Sequence, residues 1–224
     1  MAKLILRKNE DRRIRRGHLW VFSNEVALIE GDASSGDIVE VCDNRRNLIG
    51  HGFYNKDSLI SVRLLGSDYS GSFDDYACRA LRHSYQLRKT FYPSRESFRM
   101  VFSESDYLPG LIIDKYNNTF VLQVYSYGMG KNIELIVDIL KNEYGAMNVF
   151  TRNDEHFRAL EGLEAKDEIY FGKVAGEIVD DGKIKYRVDF VSSQKTGFYF
   201  DQCDNREFIE RFVNGKTVLD AFCN

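Results

Sequence analysis

Short runs of β-branched and aliphatic residues, each closed off by Gly, Asn or Asp, recur through most of this chain, and only three stretches carry a helical period. Lys3–Arg7, Asp37–Asp43, Leu48–Tyr54 and Leu59–Leu65 are of strand length and crowd into the first third of the sequence. That density of short strands predicts a small β-barrel. Between the first two runs, Glu10 to Gly17 has the character of one or two helical turns. They would place Arg12, Arg13, Arg15 and Arg16 around a single short element. Trp20, flanked by Leu19, Val21 and Phe22, reads as core packing, with base stacking the competing reading.

From Phe73 to Tyr92 the apolar residues follow a helical period, with Asp74 and Asp75 in the first turn and Arg88 and Lys89 late, as the helix dipole favours. Strand-like runs follow at Phe98–Ser103, Leu111–Lys115 and Thr119–Tyr125, the last two separated by a Tyr116-Asn117-Asn118 turn. A second helix is expected over 131–144, then a strand at Met147–Arg152 and the paired runs Glu168–Val179 and Lys183–Phe190. This middle region reads as a central α+β domain. A third helix from about Asp204 to Phe212 is ended by Gly215, before an apolar strand at Thr217–Phe222. The domain boundaries implied are 1–70, 71–190 and 191–224.

Bulk composition excludes several classes. With 43% hydrophobic and 29% charged residues and only two prolines, the 224-residue chain is neither disordered nor membrane-like, and a cytoplasmic protein is the reading. The four cysteines and four histidines are dispersed without ligand spacing, so no metal site is expected. The net charge of −3 conceals a basic start: Lys3, Arg7, Lys8, Arg12, Arg13, Arg15 and Arg16 face only Glu10 and Asp11. A local patch of this kind binds phosphates even on an acidic chain.

The stretch Gln194 to Arg206 packs polar, cationic and aromatic groups around Gly197. Lys195 and Thr196 could meet a ligand carboxylate while the aromatics cover an apolar part. The competing reading is a helix entry in which Asp204 caps the first turn. Val218 to Asn224 has the form of a buried strand ending in Asp220 and a small residue, the usual start of a doubly wound cofactor site, and the sequence stops before the glycine-rich turn would follow. Cys223 reads as a buried thiol beside Phe222.

In order along the chain, several segments resemble the ribosomal RNA large-subunit methyltransferase I family. Arg12 to Glu25 is similar to the opening of that family's PUA domain, and Gly50-His51-Gly52-Phe53-Tyr54-Asn55 to a later strand motif of it. Glu104 to Asp114 resembles the central-domain signature. Thr151-Arg152-Asn153-Asp154, Glu161-Gly162-Leu163 and Gln194 to Arg206 resemble further segments; where this sequence has Cys203, the family commonly has Arg. The resemblance implies an α+β chain followed by the start of an α/β one: a small β-barrel PUA domain, a central α+β domain and a truncated Rossmann-like methyltransferase domain. It implies a class I enzyme that uses S-adenosylmethionine (SAM) to make 5-methylcytosine in ribosomal RNA. In that chemistry a thiolate adds to C6, the methyl moves to C5 and a base releases the enzyme.

The cofactor residues implied are Gln194, Lys195, Thr196, Gly197, Phe198, Tyr199, Asp201, Arg206, Asp220 and Phe222, with RNA on Arg12, Arg13, Arg15, Arg16 and His18. Catalytic residues are expected beyond Asn224, so this chain alone is expected to be inactive. Ribosomal RNA and a homodimer are the expected partners, and no membrane. A non-catalytic RNA-binding module, and a methyltransferase acting on another RNA base, are the competing readings.

Overall fold

The computed structural model describes residues 1–164, 166–180, 183–191, 196–219 and 221. Its first unit holds β1 (Lys3–Leu6), a single helical turn α1 (Asp11–Ile14), β2 (Trp20–Phe22), β3 (Val26–Glu30), β4 (Ile38–Cys42), β5 (Leu48–Tyr54) and β6 (Ile60–Leu64). The hydrogen-bonded order is β2-β6-β5-β4-β1-β3. Laid flat, the two edges of such a sheet would lie about 24 Å apart, five strand spacings. They are joined by the 3₁₀ turn Ser23–Glu25 alone, and four Cα steps reach about 14 Å at most. The sheet therefore closes on itself into the expected small barrel, around Leu4, Leu6, Val21, Val41, Val62 and Leu64.

The second unit begins with α2 (Phe73–Phe91), whose N-cap Ser72 accepts a hydrogen bond from the Asp75 amide. Then come β7 (Ser97–Phe102), β8 (Leu111–Tyr116), β9 (Thr119–Val124), α3 (Tyr127–Lys131), α4 (Ile133–Tyr144), β10 (Asn148–Thr151), α5 (Glu155–Leu160) and β11 (Ile169–Phe171). The sheet order is β11-β10-β9-β8-β7, and Tyr116 pairs with Thr119, so the turn expected at Tyr116-Asn117-Asn118 tightens to the two asparagines. Strand alternation sends Leu111, Ile113, Phe120 and Leu122 toward α2 and α4. The intervening Tyr116 and Val121, with Phe150, face the other way. There the hairpin β12 (Glu177–Asp180) and β13 (Lys185–Val188) covers them with Phe190, Phe198 and Phe200. Helix α6 (Gln202–Val213) closes the described chain.

Strand β5 serves both units: Tyr54 points into the barrel, and its neighbour Phe53 into the central core against Phe73. Gly128 of α3 lies so close to Phe53 that a Cβ there would sit 2.1 Å from the ring.

Four expectations are corrected. The run Glu168–Val179 is not one strand. It breaks at Gly172, in the left-handed region at φ +70°, where a Cβ would lie 2.2 Å from the Met147 carbonyl oxygen. Its two halves join different sheets. Asp204 does not cap the third helix, which starts two residues earlier. Its carboxylate instead accepts hydrogen bonds from Tyr92 Oη and Arg95, tying α6 to the end of α2. Residues 217–219 form no strand; Val218 and Leu219 are exposed, with no partner strand among the described residues to complete a ladder. The described residues from 196 onward thus carry one helix and no strand of a Rossmann-like sheet, and residues 196–204 pack on the central domain. Asp220, Phe222 and Cys223 lie outside the described residues. Lastly, Trp20 on β2 is half-buried rather than sealed in the core.

Candidate functional site

Where the hairpin stops covering the second face of the central sheet, a cleft of about 770 Å³ opens between sheet, barrel and the segment 196–201. This is within the range of small-ligand sites. Ile112 and Gln123 form its floor, Trp20, Phe22 and Arg63 its barrel wall, and Phe157 and Leu160 of α5 part of its rim.

The barrel wall is fixed by a charge network. Arg63, 12% exposed, donates from Nη1 to Glu104 (2.9 Å) and from Nη2 to Glu161 (2.8 Å), whose side chain is 5% exposed. Trp20 Nε1 donates to the same Glu104 oxygen at 2.7 Å, and its ring lies 5.2 Å from the Arg63 guanidinium carbon. Ser58 donates to Glu161 at 3.0 Å. Burial would raise the Glu104 carboxyl's pKa, but hydrogen bonds from Ser103 and Trp20 and the charge of Arg63 outweigh it and hold the group below its ordinary value.

Glu104 is aimed by a strained loop. Ser103 and Tyr107 on either side of it adopt left-handed φ values of +49° and +58°. The loop is held by Asp106, which takes both Arg88 Nη groups and the Phe102 amide, and by Ser103 Oγ, which accepts from the Gly110 amide at 2.8 Å.

A second anchor holds the segment 196–201. Asp114, fully buried on β8, receives Arg99 through Nε (2.8 Å) and Nη2 (2.9 Å), and Thr196 Oγ1 donates to it at 2.5 Å. The next residue, Gly197, has φ +118°, and a Cβ there would lie 2.8 Å from Val188 and 3.0 Å from Phe190, so only glycine fits. Of the cofactor residues expected from the sequence, Thr196, Phe198, Tyr199 and Asp201 line the cleft. Arg206 is turned away from it, its guanidinium carbon 5.1 Å from the Tyr186 ring and 5.3 Å from that of Phe198. Gln194, Lys195, Asp220 and Phe222 lie outside the described residues.

The arginines of α1 and its flank are not equivalent. Arg13 is bound to Glu25 at 2.6 Å, and Arg15 to Asp11 at 2.6 Å and Asp43 at 3.0 Å. Exposed Arg12 contacts only Asn9, and exposed Arg16 makes no ion pair among the described residues. Arg13 also lies over the Phe22 ring, 5.2 Å from its centroid, and the His18 ring meets Trp20 edge-on at 6.0 Å. The basic element thus continues into the cleft wall.

A PUA-like domain model matches residues 4–67, the barrel. Over 99% of its length the chain is similar to "Ribosomal RNA large subunit methyltransferase I" from Aliivibrio fischeri, with 34% identity, and from Photobacterium profundum, with 35%. By sequence the chain is a relative of these ribosomal RNA large subunit methyltransferases I. It spans 57% of the length of either protein. Two solved structures share its fold at a TM-score of 0.74. One, 18% identical, is a protein from Streptococcus mutans assigned as a SAM-dependent methyltransferase; the other, 17% identical, is assigned as a methyltransferase and was solved with SAH. Each is matched over 93% of this chain and about half of its own, 54% and 53%. The resemblance read from the ordered motifs therefore holds over nearly the whole chain.

Arg63, Arg99, Asp114 and Glu161 were not singled out as site residues by the sequence. Arg63 did carry a signal, since it is the lone charge in its strand, and a buried charge needs a partner. Glu161 stood out only as part of the Glu161-Gly162-Leu163 segment that resembles the family. Among the described residues no helix is long and apolar enough to cross a membrane.

Proposed function

We propose that this chain is the RNA-docking and substrate-positioning part of a SAM-dependent RNA methyltransferase, with 5-methylcytosine in large-subunit ribosomal RNA as its product, working in the cytoplasm. The observation that carries the reading is the cleft shared by a PUA-like barrel, the central sheet and the 196–201 segment, in a chain that is about one-third identical to enzymes of that name. SAM supplies a methyl group from a sulfonium. The residues present fit part of such a ligand: exposed Tyr199 offers an aromatic face to adenine and Asp201 a carboxylate to a cationic centre. Thr196 is engaged by Asp114 and Arg206 by stacking, so both hold the segment in place instead of touching the ligand.

The RNA half of the reading assigns phosphate contact to Arg12 and Arg16, with Arg13, Arg15 and His18 shaping the element. The test is methyl transfer by the full-length protein from labelled SAM to unmodified large-subunit ribosomal RNA, followed by nucleoside analysis. Label in 5-methylcytidine is expected. Label in another base would overturn the product assignment, and no incorporation would overturn the enzyme reading. In RNA titrations Arg12→Ala/Arg16→Ala should flatten the salt dependence by about 1.4 to 1.8 in log–log slope. Sedimentation of the same protein tests the expected homodimer.

A further inference from the structure

We infer that Tyr92 and Arg95, in the loop between α2 and β7, are positioning residues for the cleft: they clamp the far end of the segment 196–204 and so set where Tyr199 and Asp201 stand. This rests on the reading above that sets Tyr199 and Asp201 against the cofactor. Three observations carry it. First, the segment is pinned at both ends by side chains of the central domain. At the near end Thr196 donates to Asp114, which Arg99 also holds. At the far end Asp204 accepts from Tyr92 Oη and, at 3.0 Å, from Arg95 Nη1, while Arg95 Nη2 lies 3.9 Å from Glu207. Tyr199 stands three residues from the first pin and Asp201 three from the second, and both line the cleft.

Second, the hold between the pins is apolar. Phe198 packs on Tyr186 with ring centroids 4.9 Å apart, and Phe200 on Tyr116 at 5.0 Å. Such contacts resist lifting of the segment and do not fix its direction, whereas the hydrogen bonds at the two pins do. Third, the loop that carries the clamp is itself anchored. The Arg95 guanidinium lies 4.3 Å from the centre of the Tyr92 ring. Lys89 donates to the Arg95 carbonyl oxygen at 3.0 Å and to the Glu96 carboxylate at 2.7 Å, and Lys115 donates to the Glu96 carbonyl oxygen at 2.9 Å. Lys115 is buried on β8, next to Asp114. Both pins therefore trace to neighbouring residues of one strand, Asp114 directly and Lys115 through the loop. Without the far pin a ligand at Tyr199 and Asp201 has to order the segment as it binds, and its apparent affinity falls by the fraction of molecules in which the segment is seated.

In the full-length protein Tyr92→Phe/Arg95→Gln should raise the calorimetric Kd for S-adenosylhomocysteine on the order of 10-fold, the loss of one charge-assisted hydrogen bond and one ion pair. KM for SAM should rise with it while kcat at saturating SAM holds, because the segment is seated once the site is filled. A protein that was merely destabilised would lose kcat and RNA affinity together. Tyr92→Phe alone, which removes a single hydroxyl and guards against misfolding, should fall between parent and double variant, as should Arg95→Lys, which keeps the charge without the planar fork. Hydrogen exchange at 198–201 without ligand should be faster in the double variant and unchanged in the central sheet. A double-variant Kd within about twofold of the parent, set against the expected 10-fold, a joint loss of kcat and RNA affinity, or unaltered exchange at 198–201 would each overturn the clamp. A parent protein that takes up no S-adenosylhomocysteine would overturn the cofactor reading alone, and the exchange measurement, which needs no ligand, then decides the clamp.

Discussion

Replacing Arg63 by leucine removes the one cation that Glu104 and Glu161 share. The side chain is 12% exposed and the Glu161 side chain 5%, so after the substitution one carboxylate is almost fully buried without its counter-charge, and a second faces it. Removing one partner of a buried ion pair costs about 3–5 kcal/mol. Glu104 is 21% exposed and retains its bonds from Trp20 and Ser103, which places the expected loss near the lower end, about 3 kcal/mol. With a urea dependence of about 2–3 kcal/mol per molar, the midpoint should fall by about 1 M. Trp20 is bonded to Glu104, so its emission reports this junction directly, and far-UV circular dichroism reports the rest of the fold. The Trp20 transition is expected to move first. Arg63→Lys should be intermediate, since one ammonium cannot bridge two carboxylates as a guanidinium does. Adding Glu161→Gln to Arg63→Leu should recover part of the loss, since an amide needs no counter-charge. A Trp20 midpoint within about 0.3 M of the parent, set against the expected 1 M, would refute the reasoning.

Gly197→Ala places a Cβ against Val188 and Phe190 at a left-handed φ; a loss of about 1–3 kcal/mol is expected, read as faster hydrogen exchange at 198–201. Gly128→Ala drives a methyl into Phe53 and should lower the melting temperature, with Phe53→Leu restoring part of it. The Glu104 carboxyl sits below its ordinary value of 4.5 in the folded protein. Its contribution is therefore fully present above pH 4.5 and is lost as pH falls through the lowered folded value. An acid step in Trp20 emission below pH 4.5 is expected, and Glu104→Gln should abolish it.

Elements with strong local signals were legible in the sequence. Helix α2 has a period, a serine cap and charges that suit its dipole, and the β8–β9 turn has its two asparagines. Strand β3 was not legible, since Ala27 and Leu28 are both exposed and no apolar alternation marks it. Its place comes from pairing with β1 after a three-residue turn, a long-range fact. The run to Val179 failed as a strand because Gly172 breaks it against the Met147 carbonyl, a contact no local pattern announces. The same division holds in the cleft. Segment 196–201 drew attention by its composition, but its tie to Asp114 and the joining of Arg63 to Glu104 and Glu161 span 41 to 98 residues of chain. The arginine cluster was visible as charge, but which arginines are free depends on Glu25 and Asp43.

The two kinds of contact between barrel and central domain divide the work of forming the cleft. Behind it, Phe53 enters the central core and touches Phe73, so apolar burial holds the units together without fixing a direction. At its edge, Arg63, Trp20 and Ser58 bind Glu104 and Glu161, and these bonds are directional. Glu104 can act this way only because its loop is held in a strained form by Arg88 and Asp106, two residues with no place in the cleft lining. Losing Asp106 should therefore change the angle of the barrel wall before it separates the domains. That order distinguishes a preformed cleft, set by a rigid support, from one assembled by its ligand.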